Sequence, residues 1–123
     1  MIVFIAGSFA ARRRLQTYRQ KLRDLGYTVS SSWLDEPIET WPAVEQSKAQ
    51  AIRDLQEIKV ADAFILDTID CTTMGNSYIE FGFALGRMMP KYIIGPRRNH
   101  YLLIGARQFE TWEDFLDFFD SRI

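Results

Sequence analysis

Cysteine occurs once in this 123-residue chain, at Cys71, and histidine once, at His100. A lone cysteine excludes an internal disulfide framework, and the two counts together leave no thiolate or imidazole set for a metal site. Charge of one sign is also lacking: 15 Lys and Arg stand against 16 Asp and Glu, a formal net charge of −1. Without a basic field, neither nucleic acid nor an anionic membrane is an expected partner. Long apolar runs are missing as well. The run at the amino terminus, Ile2 to Ala6, is too short for a secretory signal or a membrane span. There is no repeat, low-complexity tract or linker. The expectation is one cytoplasmic domain, residues 1–123, that uses no metal and no cofactor.

Against those absences stands a regular alternation of apolar runs and helical patterns. Ile2-Val3-Phe4-Ile5-Ala6 is continuously apolar and stops at Gly7-Ser8, which predicts a buried parallel strand. A helix follows from about Ala10, with Leu15, Tyr18, Leu22 and Leu25 as its stripe and Gly26 as its stop. Tyr27 to Ser31 reads as a second strand, and Trp33 to Pro37 as a loop. Pro42 suits the first turn of a helix reaching about Val60, with Val44, Ala51, Leu55 and Ile58 inward. Ala63 to Leu66 is the third strand, Lys91 to Ile94 the fourth, and Leu102 to Ile104 a short fifth. Thr111 opens a last helix carrying Phe115, Leu116, Phe118 and Phe119, with Asp114 completing a capping-box pattern. Such alternation predicts an α/β fold: a single flavodoxin-like, Rossmann-like domain with a parallel sheet of four to five strands and helices on both faces. Right-handed crossovers favour the strand order 2-1-3-4-5. The ligand crevice of that order lies at the carboxyl ends of strands one and three, where Gly7-Ser8 and Asp67 to Asn76 leave the sheet.

The stretch Thr72 to Arg87 concentrates the chemistry. Gly75 and Asn76 suit a tight turn, Ser77 a helix cap, and Tyr78, Phe81, Leu85 and Met89 one apolar stripe. Glu80 then falls in the first turn. Ser77-x-x-Glu80 fits a capping box, so Glu80 has a structural reading beside a chemical one. Gly82, inside the helix, costs about 1 kcal/mol relative to alanine, which implies close packing there. Asp54 sits at the edge of its helix stripe between Arg53 and Lys59, as a surface acid or a second acid of the crevice. Asp62 reads as a helix end or strand start, and Asp70 as part of a turn. Gly7-Ser8 before a helix offers amide donors and a hydroxyl. Arg12, Arg13 and Arg14 run against that helix's dipole, as a solvated face or as partners of a bound anion. Two carboxylates at one crevice, with no Ser-His or Cys-His pair available, point to glycosyl chemistry, one as nucleophile and the other moving a proton.

Phe4-Ile5-Ala6-Gly7-Ser8, Arg53-Asp54-Leu55 with Ala61-Asp62, and Gly75-Asn76-x-x-x-Glu80-Phe81-Gly82-x-Ala84-Leu85-Gly86 together resemble the nucleoside 2-deoxyribosyltransferase superfamily, including its 2′-deoxynucleoside 5′-phosphate N-hydrolases. The last segment is the most specific. The resemblance implies Glu80 as the nucleophile on the anomeric carbon and Asp54 as the residue that handles the proton of the leaving base. It implies Gly7, Ser8, Phe9 and Arg12 beside the sugar or a 5′-phosphate, and Met74, Gly75, Asn76 and His100 as further substrate contacts. It also implies a small nucleoside or nucleotide as partner and a homodimer or larger assembly, in which Arg97 to Tyr101 of one copy completes the pocket of another. The chain departs from the pattern at Phe4, where the family often has tyrosine, at Met74, where members carry aspartate or serine, and at Asn76, where a glycine is usual. Hydrolysis and base exchange both remain open, as do two alternatives: a non-catalytic nucleotide-binding module and an NAD-cleaving glycohydrolase.

Overall fold

Every position of the run Ile2–Ala6, strand β1, is apolar because the strand is covered on both faces. Val3 and Ile5 enter one core with Leu15, Leu22, Trp112, Phe115 and Phe119. Phe4 and Ala6 enter the other with Ile58, Phe64, Leu66, Phe81 and Ala84. The computed structural model describes residues 1–36, 44–69 and 75–121. Expectations for Pro42, Asp70, Cys71 and Met74, and for the side chain of Val44, lie outside them.

β1, β2 (Thr28–Val29), β3 (Ala63–Asp67), β4 (Lys91–Ile94) and β5 (Ala106–Phe109) form one parallel sheet in the order β2-β1-β3-β4-β5. Helices α1 (Arg12–Asp24) and α4 (Trp112–Asp120) cover the Val3 face, while α2 (Val44–Val60) and α3 (Gly75–Gly86) cover the Phe4 face. Thr111 caps α4 by accepting a hydrogen bond from the Asp114 amide. Among the described residues, no helix is long and apolar enough to cross a membrane.

The structure corrects several boundaries. The second strand is Thr28–Val29, not Tyr27 to Ser31, because side chains take over its pairing. The Ile5 amide donates to Ser31 Oγ at 2.6 Å, and the Ile5 carbonyl accepts from Trp33 Nε1 at 2.7 Å. With those groups satisfied, Ser32–Asp35 coils into a 3-10 turn and leaves the sheet. The fifth strand is Ala106–Phe109, not Leu102 to Ile104. His100–Leu103 forms a 3-10 turn that buries Leu102, and Gly105, at φ +63°, turns the chain into the strand. Helix α3 starts at Gly75, so Gly75 and Asn76 are helical and not a turn. It ends at Gly86; a left-handed Met88 follows, and Met89 is buried beyond the helix.

Helix α2 matters most for the site. Its 17 residues span about 25 Å, against about 17 Å for a five-residue strand. Residues 45–49 and 51–53 are exposed, so the amino-terminal half overhangs the carboxyl edge of the sheet. Ala51, expected inward, therefore faces solvent, while Gln50, Asp54 and Leu55 are half-buried and Ile58 is buried.

Candidate active site

Glycine at the end of β1 leaves little room for a side chain between β3 and α1. A Cβ at Gly7 would lie 3.0 Å from Leu15 Cδ1 and 3.4 Å from Asp67 Cβ. Ser8 follows, buried, in extended backbone (φ −69°, ψ 139°) before the 3-10 turn Phe9–Ala11, and its hydroxyl makes no capping bond there. The Gly7 carbonyl accepts a hydrogen bond from Ser77 Oγ at 3.1 Å, which ties the start of α3 to the exit of β1. Ser77 is thus inside the helix and bonded across the crevice, so the expected capping box does not form. The reason is the earlier helix start, which puts Glu80 in the second turn.

Glu80 faces α2 and hydrogen-bonds to Asp54, whose Oδ1 also accepts from Gln50 Nε2 at 2.8 Å. Two carboxyl groups can bond directly only if they share a proton. Burial, the neighbouring Asp54 charge and the bond to Asp54 push the Glu80 carboxyl up to about 8; a smaller contribution comes from Glu57. Burial and the Glu57 charge push Asp54 up to about 6, opposed by Gln50, Arg53 and Glu80 itself. The pair therefore holds a proton well above the usual carboxyl range. The nucleophile role that the resemblance gives Glu80 requires that proton to lie on Asp54.

Raised carboxyl affinities have a defined consequence for stability. Between about pH 4.5 and pH 8 the folded Asp54–Glu80 pair holds a proton that the unfolded chain has released, so stability falls as pH rises through that window. A loss on the order of 2–4 kcal/mol is expected by pH 8. Urea unfolding at pH 5, 6.5 and 8 reads it directly. Glu80→Gln should lack most of the slope, and a wild-type profile as flat as the variant's would contradict a shared proton.

The other expected site residues divide. Arg14 is committed elsewhere, with its guanidinium held bidentate on Asp67 at 2.8 and 3.1 Å. Arg12 stays beside the loop: its guanidinium lies 4.5 Å from the centre of the Phe9 ring, and its Nε donates to the Glu36 carbonyl. Arg13 is exposed. Gly75 and Asn76 are exposed in the first turn of α3, and Asp62 accepts from the Ile2 amide at the start of the sheet. His100 is exposed, 4.7 Å from the Tyr101 ring, and among the described residues no contact joins it to Asp54, Glu80 or Gly7 of the same chain. A Cβ added at Gly82 would meet nothing within 4 Å, so close packing does not explain that glycine. No group of three or more metal-binding side chains occurs among the described residues.

Sequence reasoning misses two residues of the site. Ser77 fits a cap in sequence, and nothing in the chain marks its bond to Gly7. Glu57 lies three residues beyond Asp54, one helical turn along the same face, and that spacing is a usable signal.

No protein-family model matches the chain, and no curated protein does. Solved structures do share its fold. A 2-deoxyribosyltransferase from the psychrotolerant bacterium Bacillus psychrosaccharolyticus is 23% identical with a TM-score of 0.81, covering 95% of this chain and 91% of that one. A CMP N-glycosidase from Clostridium botulinum is 17% identical with a TM-score of 0.65, covering 98% and 99%. A conserved protein from Enterococcus faecalis V583 is 17% identical with a TM-score of 0.74, covering 100% and 99%. At these identities the likeness establishes a shared fold.

Proposed function

We propose that this protein cleaves the N-glycosidic bond of a 2′-deoxynucleoside or its 5′-monophosphate, by hydrolysis or by base exchange. The observation that carries the reading is the Asp54–Glu80 pair, two carboxyl groups hydrogen-bonded between α2 and α3, with Ser77, three residues before Glu80, bonded to the Gly7 carbonyl. The names of two fold neighbours, a 2-deoxyribosyltransferase and a CMP N-glycosidase, support the reaction class.

In this reading the pair first passes its proton to Asp54 and leaves Glu80 ionised. A Glu80 oxygen bonds to the anomeric carbon as the bond to the base breaks; the electron pair leaves on the base, which takes the proton from Asp54. Water or a second base then displaces the sugar from Glu80, with Asp54 accepting the proton of the incoming group. A retaining pair usually stands about 5–5.5 Å apart, so substrate must part the direct bond between the two carboxyls. Ser8 and the adjoining amides hold the sugar or its 5′-phosphate, with Arg12 beside them and not Arg14. A homo-oligomer would bring the Arg97 to Tyr101 stretch of one copy to the site of another, which suits the exposed position of His100.

The test is to incubate the protein with deoxyribonucleosides, ribonucleosides, their 5′-monophosphates and NAD, with and without an added acceptor base, and to follow free base by chromatography. Free base from deoxy substrates is the expected result, and a new nucleoside in the presence of acceptor identifies a transferase. Base release from NAD alone would move the protein to the NAD-cleaving class. No base from any substrate would sink the enzymatic reading.

A further inference from the structure

Lys91 takes no part in the proposed glycosyl chemistry, yet this lysine is only 5% exposed. It opens β4 between Phe64 of β3 and Ala106 of β5, at the amino edge of the sheet. The Gly7-Ser8 loop leaves from the opposite, carboxyl edge. Lys91 Nζ donates to the Met89 carbonyl at 2.9 Å, and no Asp or Glu among the described residues lies within salt-bridge distance of it. A buried ammonium without a counter-charge is costly, whereas an uncharged amine needs none. Burial pushes the Lys91 amine below the usual lysine range, in line with that placement.

The charges on the surrounding elements are engaged elsewhere. On α3, Glu80 bonds to Asp54, and beyond the helix the Arg87 guanidinium lies over the Phe83 ring. Before β3, Asp62 accepts from the Ile2 amide, and at the far end of that strand Asp67 holds Arg14. Arg97 donates to the Ala106 carbonyl at 3.4 Å, and His100 is exposed beside Tyr101. Arg107 pairs in register with Tyr92, and its guanidinium lies 4.2 Å from the centre of the Phe118 ring, on the face that α4 covers.

An open cleft of about 410 Å³ lies against Lys91, lined also by Pro90, Tyr92, Gly105, Ala106 and Arg107. Gly105 keeps the approach to the amine clear, since a Cβ there would lie 3.3 Å from Nζ and 3.7 Å from Cε. Nζ acts as a donor in its bond to Met89, and among the described residues no donor is bonded to it. A neutral amine held this way keeps its lone pair for an incoming carbon atom. With the Arg107 guanidinium turned to the other face, the cleft offers no pair of cations for a phosphate or carboxylate. A neutral carbonyl compound suits it better.

We propose that Lys91 is a covalent capture site for a small aldehyde, in the cleft between β4 and the Gly105 turn and separate from the Asp54–Glu80 pair. The amine lone pair forms a bond to the carbonyl carbon. The carbonyl oxygen then leaves as water with both amine protons, and a C=N bond remains. The step is a condensation and needs no oxidant or reductant. The neutral imine also answers the missing counter-charge.

Reductive trapping on the intact protein tests it. Glycolaldehyde is added at pH 7 with cyanoborohydride, which reduces an imine to a stable amine, and the adducts are located by peptide mass spectrometry. Lys21, Lys48 and Lys59, all exposed, serve as the internal reference. Lys91 should be modified at least tenfold faster than any of the three, since one unit of lowered amine affinity already gives that factor in the neutral form. The preference should vanish in guanidinium chloride, where the cleft no longer exists. Modification of Lys91 no faster than of the exposed lysines overturns the inference, and so does a preference that survives unfolding.

Discussion

Glu80→Gln is expected to lower base release by several orders of magnitude while leaving the fold intact. An amide cannot form the glycosyl ester, so the loss should fall on kcat and kcat/KM together, as for a group that acts only in the transition state. Stability gives the opposite sign. The native carboxyl is largely buried against Asp54, and the glutamine removes that repulsion while keeping an oxygen and an N–H for Asp54. At pH 8 the variant should therefore be at least as resistant to urea as the wild type, even though it is inactive. Loss of activity with loss of stability would point to a structural residue. Retained activity would end the covalent mechanism.

The second large effect is purely structural. Asp67→Ala should cost about 3–5 kcal/mol, more than a surface ion pair could, because Asp67 is 1% exposed and four donors converge on it. Arg14 Nη1 and Nη2 reach it at 2.8 and 3.1 Å, Trp112 Nε1 at 2.7 Å and the Ile69 amide at 3.0 Å. Removing the carboxylate leaves a guanidinium and an indole N–H facing an apolar hole. The indole cannot turn away easily, since it is buried and stacked 4.7 Å from the Tyr18 ring. A drop of roughly 10 °C or more in melting temperature follows for a domain of this size. A drop of only a few degrees would show that water replaces the carboxylate cheaply. The same network holds the Arg14 guanidinium bidentate on Asp67.

The sheet is readable in the sequence because parallel strands covered on both faces are almost continuously apolar, as in Ile2–Ala6 and Ala63–Asp67. β5 escapes that reading because an edge strand carries little of the signal: in Ala106–Phe109 no residue is fully buried, whereas Leu102 in the preceding turn is. Glu80 and Asp54 stand out in the sequence as chemistry-bearing acids on two helices of the crevice, and the structure brings them into direct contact. Their shared proton is not legible there, since it depends on how far α2 overhangs the sheet and where α3 crosses it. Ser77 misleads for a related reason. A serine three residues before a glutamate has the same pattern whether it caps its own helix or reaches another strand, and only the tertiary approach of Gly7 decides between them.

The way β1 ends beside β2 carries a consequence for what the crevice can accept. Beyond Val29 the open edge of β1 would ordinarily offer Ile5 N–H and C=O to any extended chain passing by. Here the Ser31 hydroxyl and the Trp33 indole already hold both groups. A peptide laid along that edge finds neither a donor nor an acceptor at Ile5, so strand addition to β1 is closed at that point. Whatever enters the crevice must be held by side chains and loop amides, which suits a compact polar molecule and not a polypeptide.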